Sequence, residues 1–188
     1  MNNEIKVLLL YLSAQGREVY VNDILNGHHA MDSEDYEVEN FWNSFGGIEI
    51  VIDEYCTILH VSDFEFLIKV TNFLLNSLYW LKGGQCDWFD QVDSNGLFLK
   101  TTAGRSILLQ RKDEQEIRLS FYPVSDGYVK KRRDKFFSEI SINEQSWINS
   151  VQIALQEYFT LFEECLIYNK NDTYSRYLEI WDAIRGAG

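Results

Sequence analysis

Residues 86–123 read CDWFDQVDSNGLFLKTTAGRSILLQRKDEQEIRLSFYP, and the fold follows from how this stretch is punctuated. Near its end Ile117, Leu119 and Phe121 alternate with Glu116, Arg118 and Ser120, the period-two signature of a strand with one wet face. Upstream, Cys86–Val92, Leu97–Thr102 and Arg105–Arg111 are extended stretches divided by short turn signals, Asp93-Ser94-Asn95-Gly96, Ala103-Gly104 and Lys112-Asp113-Glu114. Connections this short join only antiparallel neighbours, which makes the segment a four-stranded meander ending at Pro123. A further strand over Phe136–Ile142 is placed to join it, and Ile48–Asp53 with Thr57–Val61 forms an earlier extended pair. No helix-length segment interrupts residues 86–122, so the crossovers of a parallel, doubly wound sheet are excluded.

On either side of the meander the period changes to that of a helix. Phe64, Leu67, Ile68, Leu74, Leu75, Leu78 and Leu81 fall at three- and four-residue steps, with Ser62 or Asp63 as cap and Gly83-Gly84 as stop. Trp147, Val151, Leu155, Tyr158, Phe159, Phe162 and Leu166 form a second stripe from Asn143. Tyr174, Tyr177, Leu178, Trp181 and Ile184 form a third, capped by Asp172 and ending before Gly186. At the N-terminus Lys6 precedes the apolar run Val7–Leu12. With six apolar residues and Glu4 in front, the run is too short for a secretory signal and reads as the first turns of a folded helix. The expected architecture is a single α+β domain over residues 1–188, an antiparallel meander with helices packed on one face.

Composition agrees with a packed interior. Of 188 residues 46% are hydrophobic and 15% aromatic, and there is one proline. That excludes a disordered tail or a collagen-like repeat. Cys56, Cys86 and Cys165 are an odd set with no CxxC spacing, which argues against structural zinc and for reduced, buried thiols. The longest apolar window is broken by Glu65, Lys69, Asn72 and Asn76, so it is no membrane span. A soluble cytoplasmic protein is expected.

The formal charge of −12 is unevenly placed. Twelve acids lie between Glu18 and Phe66, and that span holds no lysine or arginine. The rest of the chain is balanced, so one quarter of the sequence carries the whole net charge. Two readings of this span compete. In one it is simply solvated, with Glu34 and Asp35 in the first turn of a helix behind Ser33, where the dipole favours carboxylates. Val38, Phe41, Trp42 and Phe45 would line that helix's buried side. In the other the field is aimed at a cationic partner, since concentrated like charge speeds and orients encounter. Tyr36 then falls opposite the apolar stripe with Glu37 and Glu39 beside it, and an exposed tyrosine amid carboxylates suits a basic surface. The partner-binding candidates are accordingly Asp32, Glu34, Asp35, Tyr36, Glu37 and Glu39. Such a surface repels nucleic acid and anionic membranes. The opposite feature, Lys130-Lys131-Arg132-Arg133 with Lys135, has the charge to bind phosphate, but such a run is more often a solvated edge or loop.

Catalytic signals are few. GxGxxG, P-loop, GxSxG and HExxH patterns are absent. His28 and His29, with Asp32 and either Asp53 or His60, offer ligand types for a metal, but adjacent side chains diverge and share one ion only if a loop turns them. Asp87 and Asp90 flank Trp88 and Phe89, three apart on an expected strand and therefore on opposite faces. Cys86 near Asp87 and Cys56 near His60 are nucleophiles by type only. No enzyme activity, metal or cofactor is expected.

The meander Asn95–Pro123 followed by the long aromatic helix Asn143–Tyr168, in an acidic chain with no catalytic signature, resembles the bacterial immunity proteins encoded beside contact-dependent inhibition and other polymorphic toxins. The resemblance implies a cytosolic antitoxin that binds the toxic domain of a cognate effector, commonly a nuclease, and blocks it. The alternatives are an acidic DNA mimic of the anti-restriction type, and a small hydrolase or metal enzyme using His28, His29 and His60.

Overall fold

The computed structural model describes residues 4–30, 37–40, 44–53, 55–59, 67–83, 92–93, 96–100, 106–122, 139–169 and 172–186. Its elements are β1 (Ile5–Leu12), β2 (Glu18–Tyr20), α1 (Val21–Leu25), β3 (Glu37–Asn40), β4 (Gly46–Ile52), β5 (Tyr55–Leu59) and α2 (Leu67–Leu81). The meander strands follow: β6 (Val92–Asp93), β7 (Gly96–Lys100), β8 (Ser106–Arg111), β9 (Glu116–Tyr122) and β10 (Ile140–Asn143). The chain closes with α3 (Glu144–Thr160), a π turn (Leu161–Cys165), β11 (Ile167–Asn169) and α4 (Asp172–Gly186). The fold is α+β.

The expected meander is present, in the order β10-β9-β8-β7-β6, every pairing antiparallel. Its register sets Leu97, Leu109 and Leu119 in one row and Leu99, Ile107 and Phe121 in the next, all buried, which is the inner face that the alternation foretold. Ile140–Asn143 adds to β9 as the further strand. Cys86–Gln91, Thr101–Arg105 and the basic run Lys130–Arg133 lie outside the described residues, as do Ser62 and Asp63 ahead of α2.

Four expectations are corrected. Val7–Leu12 is not the start of a helix but most of β1, inside a second antiparallel sheet ordered β2-β1-β4-β5. A continuous apolar run carries no period, and its partner β4 is supplied from the Ile48–Ile52 region far along the chain. Hence the described strands form three sheets, of four, five and two strands, where one was expected. Third, Glu37–Asn40 is not helical but extended, and β3 pairs in parallel with β11. Helical spacing around Val38 gives no sign of this backbone partner, and the same pairing cuts short the helix expected over Asn143–Tyr168, which ends at Thr160 and its π turn, with Ile167–Asn169 extended.

Helix α2 joins the two larger sheets, packing on β4 of one and β7 of the other. Its all-round apolar sequence fits that position, and eleven of its residues are buried. Its two buried hydroxyls are bonded: Thr71 donates to the Leu67 carbonyl at 3.2 Å, and Ser77 to that of Leu74 at 2.8 Å while accepting from the Trp147 indole at 3.1 Å. The helix stops at Gly83, whose φ of +80° suits glycine, and the Arg111 guanidinium donates to the Leu81 carbonyl at 2.6 Å while lying over the Trp80 ring. Helix α3 starts at Asn143, whose side chain accepts from the Ser146 N–H at 3.0 Å. It lies against β1, α2 and α1. Helix α4 begins at Asp172 itself and includes Gly186, a residue longer at each end than expected. It closes the core through Trp181 stacked on Phe159, ring centroids 5.8 Å apart. The two larger sheets and the four described helices feed one contiguous cluster of buried residues.

Candidate protein-docking surface

Of the predicted contact residues, Asp32, Glu34, Asp35 and Tyr36 lie outside the described residues, and Glu37 and Glu39 stand at alternate positions of β3. The partner of β3 locates them. β11 starts immediately after the π turn that ends α3, and the parallel register sets Glu37 opposite Ile167 and Asn40 opposite Asn169. Glu37 and Glu39 are thereby placed on a strand paired with the segment that follows the C-terminal end of α3. From the other side α1 packs on both α3 and the π turn, bringing Asp23 to the same end of the helix.

This end of α3 has acids of its own. Glu157 is half-buried and accepts from the Asn22 amide of α1 at 2.6 Å, while Glu163 and Glu164 are exposed on the π turn. Sequence reading passed over these three because the C-terminal half is neutral in sum; the pair Glu163-Glu164 just past the aromatic stripe was the available signal. A helix C-terminus carries partial negative charge, so each exposed carboxylate there costs roughly 0.3–1 kcal/mol where lysine or arginine would stabilise. Neither α3 nor the π turn has a basic residue in its last turn. Burial lifts the Glu157 carboxyl above its ordinary range against the lowering effect of its bond from Asn22. The Cys165 thiol is raised too, by burial first and by Glu164 second.

The other described acids of the span are divided. Glu49 is not part of any surface: it is 8% exposed and accepts from the Tyr20 hydroxyl at 2.5 Å. Its position in β4 faces Leu8, Tyr20 pairs with Leu10, and both side chains take the sheet face opposite Val7, Leu9 and Ile50. Asp53 is exposed at the β4–β5 turn, accepting from the Glu4 N–H at 3.0 Å. Glu18 is half-buried on β2. Several bases are committed elsewhere: Lys6 to Glu4, Lys112 to Glu116, Arg118 to Glu139, Arg185 to Asp182 and Lys82 to the Ile184 carbonyl.

For metal or nucleophilic chemistry the geometry offers little. The chain does turn at His28 and His29, whose backbone N–H groups both donate to the Asp23 carbonyl, and His28 Nδ1 is 3.8 Å from the Asp23 carboxylate. His60 lies outside the described residues, and Asp53 sits at the far β4–β5 turn. Among the described residues no three His, Cys, Asp or Glu side chains gather to hold a metal ion. Cys86, Asp87 and Asp90 also lie outside them, and Cys56 is a β5 residue paired with Val51. Among the same residues no helix is long and apolar enough to cross a membrane.

No family model, curated protein or solved structure matches this chain.

Proposed function

We propose that the chain is a cytoplasmic immunity protein that neutralises a cognate toxin domain by docking its acidic surface onto a basic one. A nuclease, whose groove must be cationic to hold its substrate, is the toxin class that fits. The observation that carries this reading is charge placed where the fold makes it costly. Glu163 and Glu164 oppose the dipole of α3, α1 with its Asp23 packs on the same π turn, and β3 with Glu37 and Glu39 pairs with the strand that follows it. A cationic partner relieves that repulsion on binding, which gives the arrangement a use that stability does not.

The double reversal Glu163→Lys/Glu164→Lys separates binding from folding. It should raise the unfolding midpoint, because lysine suits a helix C-terminus. It should also slow association with the basic toxin domain encoded by the adjacent reading frame by about tenfold or more, and so abolish protection of cells expressing that domain. Association of the parent should weaken steeply with added salt. Undiminished association of the reversal variant would remove the assignment, and so would protection that does not depend on the acids.

A further inference from the structure

Asn26 and Gly27 close α1, and from Asn26 a relay of side-chain hydrogen bonds runs into α3. The Asn26 amide donates to the Asn22 side-chain oxygen at 2.6 Å and to the Asn22 carbonyl at 2.9 Å. The Asn22 amide donates in turn to Glu157 at 2.6 Å. Because the Asn26 donor occupies the Asn22 side-chain oxygen, it fixes which way that amide faces and so presents its nitrogen to Glu157. Helix α1 is five residues long with no side-chain bond at its N-cap, so the relay is a polar tie to α3 beside the buried Val21 and Ile24.

An Asn-Gly pair is prone to lose its side-chain ammonia, since glycine has no Cβ to obstruct ring closure. This pair stands in the open. Both residues are exposed, and a Cβ on Gly27 would meet nothing within 4 Å. The fold holds it in an unreactive geometry all the same. The Gly27 N–H is bonded to the Ile24 carbonyl at 3.1 Å, and a ψ of 2° at Asn26 turns the Gly27 nitrogen away from the Asn26 side chain.

We propose that Asn26 is a deamidation site gated by the opening of α1, and that its conversion irreversibly loosens α1 from α3. When α1 frays, the Gly27 nitrogen gives its proton to solvent base and attacks Asn26 Cγ. The N–Cγ bond forms, the Cγ–Nδ2 bond breaks, and ammonia leaves with a proton from water. Water then opens the cyclic imide at either carbonyl, leaving aspartate or isoaspartate at position 26. The product has no amide donor, and its carboxylate faces two oxygens of Asn22 that it cannot bond. It also adds a negative charge close to Glu157, with the Asn22 side chain between them. The relay cannot re-form, and isoaspartate lengthens the backbone besides.

Incubation of the full chain at mildly alkaline pH, followed by peptide mapping in a mass spectrometer, tests this. Mapping separates residue 26 from Asn95-Gly96, the other Asn-Gly pair of the chain. A mass gain of about 1 Da at residue 26 is expected, slower in the folded protein than in guanidinium chloride. Asn22→Ala cuts the relay at its middle and should speed conversion at least about fivefold, whereas Glu157→Gln, which keeps an oxygen for Asn22, should change the rate less than about twofold. Asn26→Asp mimics the product, and hydrogen exchange at the Asn26, Gly27 and His28 amides should quicken at least about fivefold. Residue 26 still an amide after about ten half-lives of the unfolded chain would overturn the proposal. So would conversion no slower than in denaturant, a rate that Asn22→Ala leaves unchanged, or unaltered exchange in the Asn26→Asp protein.

Discussion

A Cβ placed on Gly46 would stand 1.9 Å from the Leu10 carbonyl oxygen and 3.2 Å from a Leu67 methyl. β1, β4 and the start of α2 converge at this one hydrogen atom. Because the obstructing oxygen is backbone in the middle of a sheet, it cannot move aside cheaply. Gly46→Ala is therefore expected to destabilise the protein by at least about 2 kcal/mol in urea unfolding, while Gly186→Ala, whose Cβ would meet nothing within 4 Å, should be nearly silent. Equal effects at the two sites would contradict the packing. At this scale the sequence was partly legible. Glu49 falls in the extended pair expected over Ile48–Asp53 and Thr57–Val61, and it is a β4 residue paired with β5. That it is buried under a bond from Tyr20 was not legible, because the donor reaches it diagonally across an intervening strand.

β1 shows what an element needs beyond its own residues. β4 covers one side from Ile5 to Tyr11, whereas β2 reaches only Leu10–Leu12 on the other. Upstream of β2 the Val7 N–H donates instead to the Ser150 hydroxyl of α3 at 2.8 Å, inside the core. An unpaired buried amide costs about 1–3 kcal/mol, so Ser150→Ala should lose roughly that much stability and speed hydrogen exchange at the Val7 amide. Unchanged exchange there would show that the hydroxyl is not what shields the strand. The meander and the three long helices were readable in advance because their period, turns and caps are all local. β1 and β3 were not, since each is a strand only by virtue of a distant partner.

At the scale of the whole molecule, the packing of α1 on α3 half-buries Glu157 against Asn22. Burial raises its carboxyl above the ordinary 4.5, so the folded protein binds this proton more tightly than the unfolded chain. The sign is that stability contributed by Glu157 grows as pH falls through the window just above 4.5, and at neutral pH its ionised form is a cost. Glu157→Gln keeps an oxygen for Asn22 and removes the charge. The variant should be more stable than the parent at neutral pH, with the advantage shrinking as the solution is acidified toward 4.5. Denaturant unfolding at both pH values checks this, and a variant less stable at neutral pH would mean that Asn22 holds a carboxylate the fold requires.

From the sequence alone came the α+β class, the meander with its inner rows, the three long helices and the segregation of charge. Each of these is encoded in neighbours a few residues apart or in plain counts. Only the tertiary structure decided that Val7–Leu12 is a strand, that α2 bridges the two larger sheets, and that the strand holding Glu37 and Glu39 pairs with the one following α3 and its π turn. Those outcomes depend on which remote segments satisfy a backbone's hydrogen bonds, and a linear pattern carries no record of the partner.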